Sequence, residues 1–314
     1  MRPCVMADSN PVIFARGLVK RYGDQVAVDG IDITVQAGSC VGIVGRNGAG
    51  KSTTVKMLTT VSRPTAGILR IFRLNPLTNS RKIKSCLGVV PQENTLDPEL
   101  TVRRNLSIYC RYFGMSGKES HSAVDKALAL VGLTQRARDD VAMLSGGMKR
   151  RVTIARALVN GPKLILMDEP TASLDAQSKH AIWESIREFQ RSNRTVVITS
   201  HDMAEVENLC EYVWIMDAGK FVAAGSPEQL IRSTCRADRV EIGLINGNEI
   251  DWATEIGDSK ATVTCTAAGV IIETDDGHRV MENLRWGRIK FVSASLRRTT
   301  LEDAFLRLTG RAVD

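Results

Sequence analysis

Cys40-Val41-Gly42-Ile43-Val44-Gly45-Arg46-Asn47-Gly48-Ala49-Gly50-Lys51-Ser52 reads as an apolar strand that runs straight into a glycine loop closed by lysine and serine. Beyond it, the spacing of Val55, Met57, Leu58 and Val61 predicts a helix from Ser52 to Val61. Strand, loop and helix in that order is the context that a P-loop requires. Glycines there let backbone N–H groups converge on phosphate oxygens, and the helix adds its positive end. Lys51 is then placed to reach the β- and γ-phosphates and the Ser52 hydroxyl to ligate Mg²⁺. The nucleotide-binding stretch is Gly45, Arg46, Asn47, Gly48, Ala49, Gly50, Lys51, Ser52 and Thr53.

A second apolar strand, Leu164-Ile165-Leu166-Met167, ends in Asp168-Glu169. Burying charge at a strand tip is costly unless a cation lies beside it, and Mg²⁺ with its phosphates supplies one. Asp168 therefore fits a metal ligand, and Glu169 a base or water-positioning group for in-line attack on the γ-phosphate. A third strand, Thr195-Val196-Val197-Ile198-Thr199, is followed by Ser200-His201. Such continuous apolar runs are the strands of parallel sheets. Their alternation with helices predicts an α/β fold with its chemistry at the carboxyl ends of the strands. Gly45, Asp168 and His201 all fall at those ends. A hairpin-like stretch is expected at Gly67 to Phe72 and a strand at Leu87 to Val90. Residues 100–160 look mostly helical, and Leu144-Ser145-Gly146-Gly147 opens a helix from Met148 to Val159 that Gly161-Pro162 terminates. A helix N-terminus with a hydroxyl and glycine amides is an anion-binding end. Lys149-Arg150-Arg151 follows on the first turn and reads as a phosphate-facing or solvated face.

After Pro227-Glu228-Gln229-Leu230 the texture changes. Arg239 to Ile245 and Thr262 to Thr274 alternate like strands, and Thr299 to Thr309 reads as a helix with a capping box of Thr299 and Glu302. These features divide the chain into a domain at 12–235 and a small α+β appendage at 236–314. The 314 residues suffice for both, and a net charge of +7 is modest and dispersed. Seven cysteines without a C-x-x-C pair read as free thiols in a reducing compartment rather than a zinc site. Met1 to Pro11 lacks the apolar core of a signal peptide, and no uncharged apolar run approaches the length of a membrane span.

The P-loop, Leu144-Ser145-Gly146-Gly147, Asp168-Glu169 and Ser200-His201, in that order, resemble the ATP-binding subunits of ABC transporters over about residues 12–235. The resemblance implies a P-loop ABC ATPase domain with a parallel-sheet core, an antiparallel β subdomain and a helical subdomain. It implies further that Ser145, Gly146 and Gly147 form the signature that closes over ATP held by a partner subunit. Pro170-Thr171-Ala172-Ser173-Leu174-Asp175 resembles the D-loop, so Asp175 joins the nucleotide-facing set. Gln92, in Val90-Pro91-Gln92, resembles the Q-loop glutamine that touches Mg²⁺ and relays its occupancy toward the membrane subunit. Tyr22 matches the aromatic that stacks on adenine, and His201 the histidine that bonds the γ-phosphate. The catalytic set is thus Lys51, Glu169 and His201, and the metal set Ser52, Gln92 and Asp168.

Two stretches narrow the resemblance to the subfamily that drives ABC-2-type permeases. They are Gln92 to Val102 with Tyr112-Phe113-Gly114-Met115, and the ending Leu301 to Arg311. Both resemble daunorubicin-type drug exporters and, more closely, nodulation proteins that export lipo-chitooligosaccharides. Pro170-Thr171-Ala172-Ser173-Leu174 departs from the Thr-Thr-Gly-Leu of the nodulation group. The implied machine is a homodimer around two Mg-ATP, peripheral on the cytoplasmic face of the inner membrane. It drives a separately encoded ABC-2-type integral membrane permease that exports an amphiphilic, lipid-like or drug-like substrate, with no nucleic acid partner. The rival readings are a soluble ABC ATPase acting on ribosomes or DNA, and an import ATPase. Ribosomal members carry two cassettes in one chain and DNA-repair members long coiled coils, whereas this sequence holds one P-loop and one signature.

Overall fold

The computed structural model describes residues 11–244, 252, 256, 258, 260–266, 269–286 and 291–310. The readings of Met1 to Asn10, Ile245 and Arg311 lie outside this set. The described residues form two compact units that divide between Ala224 and Gly225.

The first unit runs β1 (Ile13–Tyr22), β2 (Gln25–Val35), β3 (Cys40–Val44), α1 (Lys51–Leu58), β4 (Ala66–Ile71), α2 (Pro76–Lys84), β5 (Leu87–Val90), α3 (Val102–Tyr112), α4 (Gly117–Leu130), α5 (Gly146–Leu158), β6 (Leu164–Asp168), α6 (Ala176–Arg191), β7 (Thr195–Ser200), α7 (Met203–Leu209), β8 (Tyr212–Asp217) and β9 (Lys220–Gly225). Six strands make the central sheet in the order β5-β6-β7-β3-β8-β9, with β5 through β8 parallel. β3, β6 and β7 are buried along their whole length, as strands covered on both faces must be. A two-residue turn, Ala218-Gly219, joins β8 to β9 with positive φ at both positions, the twist that a tight hairpin favours.

A separate antiparallel sheet has the order β2-β1-β4. The hairpin-like stretch expected at Gly67 to Phe72 is instead one strand, β4, which pairs with β1 (Ile13 opposite Ile71). Ile13, Leu18 and Ile33 of this sheet share one apolar core with Ile43, Met57, Leu58, Leu166 and Trp214. That core packs on the face of the P-loop strand that carries Val41 and Ile43. Register then aligns the chemistry: Val44 lies opposite Ser200, and Asp168 opposite Thr199.

The second unit contains α8 (Pro227–Thr234), β10 (Asp238–Leu244), β11 (Thr262–Thr266), β12 (Gly269–Thr274), α9 (Gly277–Trp286), β13 (Phe291–Arg298) and α10 (Leu301–Thr309). Its antiparallel sheet has the order β11-β12-β10-β13. Val240, Ile242, Val270, Ile272, Val280 and Leu284 are among its core residues. The capping box lies one residue later than expected, on Thr300 and Asp303. The Thr299 hydroxyl donates instead to the carbonyls of Arg236 (2.6 Å) and Ala237 (3.3 Å), and Arg239 and Arg297 both hold Asp303.

Candidate active site

The loop between β3 and α1 is shaped by its glycines. A Cβ on Gly45 would lie 2.1 Å from the carbonyl oxygen of Met216, and Gly50 sits at φ 111°, where side chains are strained. Lys51 opens α1 and is buried. Its Nζ donates to the carbonyls of Gly45 (2.7 Å) and Arg46 (3.1 Å) and lies 3.2 Å from Glu169 Oε1. The Ser52 hydroxyl donates to Asp168 Oδ1 at 3.2 Å. Thr199, across the sheet, donates to the same oxygen. Hydroxyl and carboxylate oxygens together are the donor set that suits Mg²⁺.

Glu169 is buried with φ 50°, a conformation that a non-glycine residue keeps only when its surroundings impose it. Its N–H donates to the Thr199 carbonyl at 3.0 Å. Its side chain lies between Lys51 Nζ and His201 Nδ1, and is hydrogen-bonded to the latter. The structure thus brings Gly45, Lys51, Ser52, Asp168, Glu169 and His201 to one edge of the central sheet. The cluster can hold a polyphosphate on backbone amides and Lys51 while presenting a carboxylate paired with an imidazole.

Of the remaining expected residues, Arg46, Asn47, Gly48, Ala49 and Gly50 form the loop itself and Thr53 follows on α1, whereas Tyr22, Gln92, Ser145, Gly146, Gly147 and Asp175 lie on other segments. Ser145 caps α5, accepting from Met148 N at 3.2 Å. A Cβ on Gly147 would lie 2.1 Å from Ser178 Oγ, so the start of α5 is packed against the start of α6. Asp175 caps α6, and hydrogen bonds from Ser178 N (2.9 Å) and Ser178 Oγ (2.8 Å) lower its pKa. Ser145, Gly146 and Gln92 are exposed. Tyr22 is half exposed at the end of β1, with Lys20 Nζ 4.8 Å from its ring centroid.

Arg150 corrects the reading of a phosphate-facing or solvated basic run. It is 7% exposed. Its Nη1 donates to the carbonyls of Pro91 and Gln92, its Nη2 to those of Asp168 and Glu169 (both 2.9 Å), and its Nε to that of Pro170 (2.8 Å). Burial lowers its pKa to about 10, against the opposing pull of the Asp168, Glu205 and Glu169 carboxylates. Glu205 is a second residue that sequence reasoning passed over. It is fully buried on α7 and accepts from Thr171 Oγ1 (2.8 Å) and Ser200 Oγ (2.7 Å). Burial raises its pKa, although both hydroxyls work the other way. An acidic residue four positions after His201 was the available signal.

The chain is similar to known proteins over nearly its whole length. The ABC transporter family profile matches residues 28–172. The Nod factor export ATP-binding protein I of Burkholderia lata is 39% identical over 306 residues, covering 96% of this chain and 97% of its own. Its namesake in a Rhizobium strain is also 39% identical, covering 98% and 99%. Among solved structures, cbiO1 of Clostridium perfringens, part of an ABC transporter complex, superposes with a TM-score of 0.67 at 28% identity, over 72% of this chain and 92% of that one. The dimeric ATP-binding cassette MJ0796 bound to ADP and Pi gives 0.63 at 27% identity, over 68% and 98%. Near-complete matches at this identity, together with a P-loop cradle facing a buried Asp-Glu pair, mean that the chain belongs to the ABC transporter family, as an ATP-binding ATPase subunit.

Proposed function

We propose that this protein is the ATP-hydrolysing subunit of an ABC-2-type exporter, in which two copies close around two Mg-ATP and drive a separate membrane permease. The observation that carries this reading is one of coverage. The ATPase cassettes match 68–72% of the chain, whereas the Nod factor export proteins match 96–98% of it. The part beyond a bare cassette is therefore shared with proteins named for export. Those names support the reading of an amphiphilic, lipid-like or drug-like cargo, with its selection assigned to the permease. The domain reading, a cassette at 12–235 and an accessory domain at 236–314, is part of the same proposal.

In this scheme the loop amides and Lys51 bind the β- and γ-phosphates, and Tyr22 stacks on adenine. Mg²⁺ would be held by Ser52 and Asp168, with Gln92 reaching it from the adjoining loop, and would neutralise charge on the phosphates. Glu169 orients a water and accepts its proton, while His201 holds the Glu169 carboxylate and bonds the γ-phosphate. Ser145, Gly146 and Gly147 of one copy present a helix N-terminus to the γ-phosphate of the other, with Asp175 beside them. Among the described residues no helix is long and apolar enough to cross a membrane. The same proposal has the protein sit peripherally, on the permease, at the cytoplasmic face of the inner membrane.

Purification from membranes in mild detergent, followed by mass spectrometry, tests this reading. A stoichiometric polytopic permease is the expected companion. Ribosomal or DNA-repair proteins in its place would overturn the transport reading.

A further inference from the structure

One face of α5 holds Pro91, Gln92, Asn94 and Thr95 of the segment after β5. Arg150 donates to Pro91 and Gln92, Thr153 Oγ1 to Asn94 Oδ1 at 3.2 Å, and Arg156 to the carbonyl of Thr95 at 2.7 Å as well as to its hydroxyl. Positions 150, 153 and 156 lie three apart, the spacing that puts side chains on one helical face. Arg150 differs from the other two because its remaining donors cross to Asp168, Glu169 and Pro170. A guanidinium has five N–H donors in a rigid plane. Here each of the five is committed to a main-chain carbonyl, two in the Gln92 segment and three around Glu169.

That arrangement has a mechanical consequence. The plane cannot follow a displaced Gln92 segment without releasing or dragging the carbonyls of Asp168 and Glu169. Glu169 is the residue held at φ 50°, so its backbone depends on external bonds to keep its carboxylate between Lys51 and His201. A misplacement of about 1 Å in a reacting group is enough to cost about 10²-fold in rate. We propose that Arg150 is a positioning residue for hydrolysis, which locks the backbone of Glu169 in place when residues 91–95 are seated on α5 and so makes turnover conditional on that seating. The inference rests on the assignment of Glu169 as the base.

The test is Mg-ATP hydrolysis by the purified full chain, expressed per nucleotide-binding site. Arg150→Lys keeps the charge but supplies three donors in place of five. It should lower kcat by about 20-fold or more while KM stays within about threefold. Arg156→Gln loosens the same segment from the far end of the helix face. It should lower kcat severalfold in the wild-type background and have no further effect in the Arg150→Lys background, because the link is already cut. Wild-type kcat per site in Arg150→Lys, or losses that simply multiply in the double variant, would overturn the proposal. Should Arg150→Lys fail to fold, Arg156→Gln decides alone: a reduced kcat at constant KM supports the link, and an unchanged kcat removes it. Glu169→Gln, run in parallel, separates the two layers. Full turnover there defeats the base assignment, whereas a dead Glu169→Gln beside a normal Arg150→Lys defeats only the coupling.

Discussion

Thr199 donates its hydroxyl hydrogen to Asp168 Oδ1, the same oxygen that accepts from Ser52. Two hydroxyls from different segments therefore converge on one carboxylate oxygen and set which way the buried Asp168 points. Thr199→Val preserves the shape of the strand and deletes one donor. Leaving the acceptor short of a partner should cost about 1–3 kcal/mol of stability, visible as a lower thermal midpoint. A carboxylate free to rotate should also bind Mg²⁺ less well. The Mg²⁺ concentration for half-maximal ATPase activity should rise, while metal-free nucleotide binding stays constant. An unchanged Mg²⁺ dependence would leave Thr199 with a packing role alone.

Glu169→Gln keeps the size of the side chain and removes its basicity. Loss of a general base typically costs about 10²–10⁴-fold in rate; Lys51 loses its charged partner but keeps its bonds to the carbonyls of Gly45 and Arg46, and the loop amides are untouched. ATP should remain bound without turning over, and the ATP-loaded protein should elute as a dimer in size-exclusion chromatography. Hydrolysis at the wild-type rate would sink the role given to Glu169.

The chemistry that could be read from the sequence is the chemistry that is local. The P-loop packs its requirements into contiguous residues: Gly45 for close approach to Met216, Gly50 for its backbone angle, Lys51 and Ser52 for charge and metal. Strand tips could likewise be read, because Asp168-Glu169 ends an unbroken apolar run. Arg150 could not, since its inward direction is decided by carbonyls at 91–92 and 168–170, far away along the chain. Glu205 escaped for the same reason, its partners Thr171 and Ser200 lying in other segments. At the last helix the expected capping box, Thr299 with Glu302, gives way to Thr300 with Asp303 one residue later. Arg239 and Arg297 decide between them by pairing with Asp303.

Asp303 also gives the second unit an acid-sensitive contact. Burial alone would raise its pKa, but hydrogen bonds from Arg297 and Thr300 and the charges of Arg297 and Arg239 outweigh burial and bring it to about 2. An unfolded aspartate titrates near about 3.9. Because the folded value is the lower one, the contribution is complete above about pH 4 and is lost as pH falls toward about 2. Asp303→Asn should therefore lower the thermal midpoint at pH 6, and the gap to wild type should close as pH drops through that window. A gap that stays constant down to pH 3 would show that the carboxylate charge contributes nothing.

The signature residues are tested by complementation. Ser145 caps its own helix, and Gly147 packs on Ser178 at the start of α6, the segment that carries Asp175, rather than on the P-loop. If they act on nucleotide held by a second copy, Ser145→Arg should abolish hydrolysis yet leave ATP binding by a single chain intact. Lys51→Ala should also be inactive, but through lost phosphate binding. In a mixed dimer, the intact P-loop of the Ser145→Arg chain faces the intact signature of the Lys51→Ala chain, and one good site forms. Random pairing makes half the dimers mixed with one good site of two, so mixing equal amounts should restore roughly a quarter of wild-type turnover if sites act independently. ATP binding lost in Ser145→Arg would place the signature in the same chain's own site. A mixture as inactive as its components, with both variants still dimeric, would mean that both sites must fire together.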